Sequence, residues 1–169
     1  MRHLLILGRL SILGSALAVG CGGGMAADDV AGDAYTESYN CATETRADTF
    51  SVGLEKAGLA GALDFKLMTA DPAPPARGDN TWVIQVNAMA NSVVGAPVTG
   101  LETGMTITPY MPDHQHGTPI DVVITPMPDA GQYQLSPVNL WMPGLWQTTI
   151  SVNANGSKDH VVYSFCLSS

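Results

Sequence analysis

From residue 48 to residue 167, apolar and polar side chains alternate in short runs, and each run is cut by glycine, proline or asparagine. A period of two marks a strand with one buried face. Residues 62–69 put Leu63, Phe65 and Leu67 on one face and Asp64 and Lys66 on the other. Residues 81–89 align Trp82, Ile84 and Val86, and residues 104–111 align Met105, Ile107, Pro109 and Met111. Residues 48–56 align Phe50, Val52 and Leu54, and further strands are expected over residues 119–127, 132–141, 145–154 and 159–167. Between them, Asp71-Pro72-Ala73-Pro74-Pro75 cannot continue a ladder, and Asn155-Gly156 is a two-residue hairpin signal. Gly53, Gly58 and Gly61 break the one stretch with helix-forming alanines and leucines. About eight strands with one apolar face each are satisfied by two sheets packed together, so the pattern predicts an all-β, immunoglobulin-like antiparallel β-sandwich of seven to eight strands.

The chain has 169 residues, and its start is of another kind. Arg2 and Arg9 lie near its beginning, and residues 4–19 are mostly apolar, a run shorter than the roughly 20 apolar residues of a membrane span. The segment Leu17-Ala18-Val19-Gly20-Cys21 resembles the lipobox of bacterial lipoproteins, with Ala18 at the position usually held by leucine. The resemblance implies cleavage before Cys21 and a lipid on that cysteine. Gly22, Gly23 and Gly24 then begin a stretch rich in Gly, Ala, Asp, Ser and Thr, too poor in large apolar residues to order itself. The expected organisation is a signal peptide over residues 1–20, a lipidated cysteine and flexible tether over 21–44, and the sandwich over 45–169. Such a protein belongs in the envelope of a Gram-negative bacterium, facing the periplasm. Gly22 after the cysteine, where an aspartate retains some lipoproteins at the inner membrane, points to the outer membrane. The alternative is a secreted protein with a free thiol at Cys21.

Three cysteines are an odd number for an exported chain. With Cys21 lipidated, Cys41 and Cys166 remain as a pair near the two ends of the folded part. An oxidising compartment favours a disulfide between them over metal ligation. Loss of the signal would remove two of the seven basic side chains and none of the 15 acidic ones, deepening a formal net charge that is already −8. An acidic surface repels nucleic acid and anionic lipid headgroups, so attachment to a membrane would run through the lipid at Cys21.

The chemistry-bearing stretch is Met111-Pro112-Asp113-His114-Gln115-His116-Gly117. In an extended segment, side chains two apart point the same way, so His114 and His116 could reach one ion. Two imidazoles with the thioethers of Met111 or Met142 suit monovalent copper, whereas a carboxylate as third ligand suits divalent copper or zinc. Asp113 could instead accept a hydrogen bond from a ligating ring. Met127-Pro128-Asp129 repeats the start of the motif without a histidine, so Met-Pro-Asp alone carries no metal signal. If the strands reverse simply, Met142 lies at the same end of the sandwich as His114 and His116, and Met127 and His160 lie at the other. The alternative is a plain hairpin tip, with the methionines as the last members of core rows. Trp82, Trp141 and Trp146 read as core, with ligand stacking a second role for Trp141 beside Met142.

Trp82-Val83-Ile84-Gln85-Val86, Gly95-Ala96-Pro97-Val98-Thr99-Gly100, the Met111–Gly117 motif, Gly131-Gln132-Tyr133 and Met142-Pro143-Gly144-Leu145-Trp146 together resemble the YtkA-like or FixH-like domain of bacterial envelope proteins. That resemblance implies an immunoglobulin-like sandwich, and some members accompany copper transport or oxidase assembly. The chain differs from FixH-type members in having no transmembrane anchor. No Gly-x-Ser-x-Gly elbow or phosphate-binding glycine loop is present, and the carboxylates are scattered singly, so the expectation is a non-enzymatic protein. Two functions follow: a copper-binding or copper-handling accessory, or an interaction module that binds another envelope protein without metal.

Overall fold

A computed structural model describes residues 39–168; the expected signal peptide, Cys21 and most of the expected tether lie outside the described residues. Ten strands follow a single 3-10 turn, Cys41–Thr43: β1 (Leu54–Ala57), β2 (Leu63–Asp71), β3 (Gly78–Ala90), β4 (Val93–Pro97), β5 (Met105–Met111), β6 (His116–Gly117), β7 (Val123–Pro126), β8 (Gln132–Leu140), β9 (Gly144–Ala154) and β10 (Ser157–Leu167). They form two antiparallel sheets. One runs β1-β2-β3-β8-β7, with β4 paired to the end of β3, and the other runs β10-β9-β5-β6. This is the two-layer sandwich that the alternation predicts. Among the described residues no helix is long and apolar enough to cross a membrane.

The inward rows close on each other. Leu63, Phe65, Leu67, Trp82, Ile84 and Val86 from the first sheet are buried, as are Trp146, Ile150, Val152, Val161, Tyr163 and Phe165 from the second. Trp82 meets Phe165 edge-on at 5.6 Å and Tyr163 at 6.4 Å, so aromatic rings join the layers. Asn155 and Gly156 both take positive φ in the two-residue hairpin between β9 and β10.

Three expectations change. The strand expected over 48–56 shortens to β1, because Gly53 sits at φ +82° and bends the chain; Phe50 still packs on Phe165, but Val52 is exposed. The strand expected over 119–127 shortens to β7, since the preceding residues carry the chain from the second sheet to the first. The third is β4, a fully exposed strand with no alternation to announce it.

Cys41 and Cys166 form a disulfide with their Cα atoms 5.5 Å apart, closing a span of 125 residues. Tyr39, near the end of the tether expected over 21–44, makes an ordered contact, its hydroxyl donating to Glu44. Crosslinking so long a loop removes much chain entropy from the unfolded state. Replacing both cysteines by serine should lower unfolding stability by about 2–5 kcal/mol. Urea melts with and without reductant check this: reductant should bring the wild-type midpoint down to that of the variant.

Candidate metal centre

The motif forms the hairpin between β5 and β6. Met111 pairs with His116 across it, leaving residues 112–115 as the turn. Gln115 takes φ +56°, and its N–H donates to the Met111 carbonyl at 2.8 Å. The segment is thus not extended as expected. The imidazoles become neighbours by another route: His114 lies in the turn, His116 lies on the returning strand, and the ring centroids are 5.7 Å apart at 66°. Gly117 lets β6 lie close against β5, because a Cβ there would stand 2.7 Å from the Pro109 carbonyl oxygen.

Cross-strand partners share a face. Met111 is fully buried, so His116 also faces inward, at the open rim of the sandwich. Its Nδ1 lies 3.1 Å from the Gly117 carbonyl oxygen. A carbonyl can only accept, so this contact puts a proton on Nδ1, and in the neutral ring Nε2 then holds the lone pair. Trp141 stacks on the His116 ring at 5.3 Å and 23°, and Trp146 meets it at 6.3 Å and 73°. Trp146 is held by its indole N–H, which donates to the Met142 carbonyl at 2.9 Å. The bend at Met142 therefore lies at the histidine end, as strand parity predicts. His160 pairs with Ser151 in the other half of the second sheet, away from this end.

The residues can be tested against a metal. With metal–nitrogen bonds of about 2.0 Å and the nitrogen roughly 1.1 Å from its ring centre, two imidazoles on one ion have centroids about 5–6 Å apart. The 5.7 Å separation fits that range. Among the described residues, no group of three or more His, Cys, Asp or Glu side chains is arranged to hold an ion. Two methionines, Met111 and Met142, lie at this end as well. Met111 is the cross-strand partner of His116, and its methyl group lies against Gly144, where a Cβ would come within 2.7 Å of it. Met142 is partly buried at the same rim.

Asp113 is engaged from the side of the N-terminal arm. Its carboxylate accepts both terminal nitrogens of Arg46, each at 2.7 Å, and the Tyr39 hydroxyl at 3.2 Å. Arg46 also grips Glu44 through Nε at 2.9 Å and Nη2 at 2.6 Å. The Arg46 guanidinium holds both carboxyls below their usual range, that of Glu44 at about 2. Burial, together with donation to these carboxylates, pushes the Tyr39 phenol up to about 12. This clamp ties the arm before β1 to the histidine turn. No local pattern announces it, because Arg46 and Asp113 are 67 residues apart.

The YtkA-like family profile matches residues 60–151, which span the strands from β2 into β9 and include the histidine turn and the Met142 bend. The chain belongs to the YtkA-like family. No curated protein and no solved structure matches it. The matched segment of this YtkA-like protein contains His114, His116, Met111, Met142, Trp141 and Trp146. It leaves out the disulfide and the Tyr39, Glu44 and Arg46 side of the clamp.

Because both clamp carboxyls titrate below their ordinary range, the clamp's contribution is complete above about pH 4 and is lost as pH falls toward 2. Arg46 and Asp113 are more than a third exposed, so solvent screens the effect. Arg46→Ala should lower Tm by a few degrees at most at pH 7. Thermal melts across pH check this: wild-type and variant curves should converge near pH 2.

Proposed function

We propose that this YtkA-like protein is a non-enzymatic copper-binding accessory of the bacterial envelope. His114 and His116 supply imidazole nitrogens and Met111 a thioether, with Met142 at the same rim. The observation that carries the reading is the grouping around His116: with Nδ1 donating to the Gly117 carbonyl the neutral ring presents Nε2, the His114 and His116 ring centroids are 5.7 Å apart, and Met111 is the cross-strand partner of His116. Imidazole with thioether is a soft donor set, which selects monovalent copper over zinc or magnesium. The domain would be presented on a lipid-anchored tether from Cys21, facing the periplasm, with the outer membrane as its site.

A second reading has one observation in its favour. All five residues of β4 are exposed, Val93 and Val94 among them, and Val123 stands exposed on the edge strand β7. An apolar sheet edge away from the histidines suits an interaction module for another envelope protein.

Titrating the purified protein with copper, alongside His114→Ala plus His116→Ala, decides between them. The metal reading predicts stoichiometric uptake by the wild type and an affinity loss of more than about a hundredfold in the variant. Equal binding by the two proteins would remove the site. Absence of uptake by the wild type would leave the interaction module.

A further inference from the structure

Trp141 is the first residue after β8, where the inward row ends at fully buried Leu140. Its indole is 45% exposed, although burying so large an apolar ring is favourable. It is nonetheless held in a near-parallel stack on His116, at 5.3 Å and 23°. Trp146, by contrast, is buried, meets the same imidazole at a steep angle, and is locked by its bond to Met142. His116 is therefore enclosed by two indoles, one structural and one lying over its face at the solvent boundary.

That second indole bears on the ion the site would prefer. Divalent copper and zinc fill their coordination shells with further nitrogen, oxygen or water ligands. An apolar ring over the ligating imidazole removes room for such water and offers no oxygen or nitrogen donor. A monovalent copper ion has a filled d shell, accepts few and soft ligands, and is less penalised by a dry surrounding. The negative face of an indole also attracts a nearby cation directly.

We propose that Trp141 is the specificity-determining residue of the centre: its indole caps His116, excludes water, and biases the site toward monovalent over divalent copper. The inference rests on the copper reading above and adds to it which oxidation state is held and which side chain decides it.

The test compares wild type, Trp141→Ala and Trp141→Phe. Each is titrated anaerobically with copper(I) against a chromophoric chelator, and separately with copper(II). Trp141→Ala should lose roughly tenfold or more in copper(I) affinity while copper(II) affinity stays level or rises. Trp141→Phe, which keeps an apolar ring, should recover most of the copper(I) affinity. Copper(I) should quench indole emission in the wild type, with a smaller quenching amplitude in Trp141→Ala. Thermal melts within a few degrees of wild type confirm that each variant is folded; if Trp141→Ala does not fold, Trp141→Phe against Trp141→Leu gives the same comparison of ring with no ring. Equal weakening toward both ions, or none toward either, overturns the role of Trp141 and leaves the copper centre standing. A wild type that takes up neither ion overturns both.

Discussion

One row of side chains across the second sheet carries both the fold and the site. His116 on β6 opposes Met111 on β5. The β5–β9 register, which reaches Tyr110 opposite Gln147, brings Met111 beside Trp146. Trp146 opposes Phe165 on β10. Phe165 in turn meets Trp82 of the other sheet, joining the two layers. Each large side chain buried in this way contributes about 1.5–3 kcal/mol, and each edge-on aromatic pair about 0.5–1.5 kcal/mol more. His116 is thus the last member of the core row, the point at which the interior reaches solvent. Its position is inherited from the packing of the two sheets, while that of His114 is set by the turn.

The outer support comes from elsewhere in the chain. The disulfide fixes the 3-10 turn at Cys41–Thr43 to β10, and the short arm beyond it delivers Glu44 and Arg46 to Asp113. Tyr39 bridges the two carboxylates of the same cluster. A left-handed turn such as the one at Gln115 has several ways to relax, and a two-pronged ion pair on its second residue removes some of them. The family match spans the core row up to β9 and the turn itself, Asp113 included, so only the Tyr39, Glu44 and Arg46 side of the brace and the disulfide lie in the flanking sequence.

Much of the sandwich was legible because strands have a strict period. The faces of β2, β3 and β5 follow from counting every second residue, and cysteine counting led to Cys41 and Cys166. Strand parity also led to the shared end of the histidine turn and the Met142 bend. What escaped has physical reasons. The β3–β4 hairpin turns on Asn91-Ser92, both at positive φ, without the glycine that usually announces such a turn. β4 is exposed on both faces, so it has no pattern to read. The histidines meet through a left-handed residue and not through strand geometry, so the reasoning from an extended segment reached adjacent rings by the wrong backbone. The partner of Asp113 is distant in sequence, and the stack of Trp141 on His116 depends on how two separate sheets end at one rim. Period and composition describe faces; they do not describe which side chains meet where the faces stop.

The two ends of the described chain lie at the same end of the sandwich. Tyr39 touches Asp113 and lies near Gly144, and Leu167 pairs with Gly144. The hairpin at Asn155 and Gly156 occupies the opposite pole. The described chain therefore enters and leaves the sandwich beside the histidine turn, so its first and last residues crowd the rim that carries His114 and His116, while the opposite pole is clear of both.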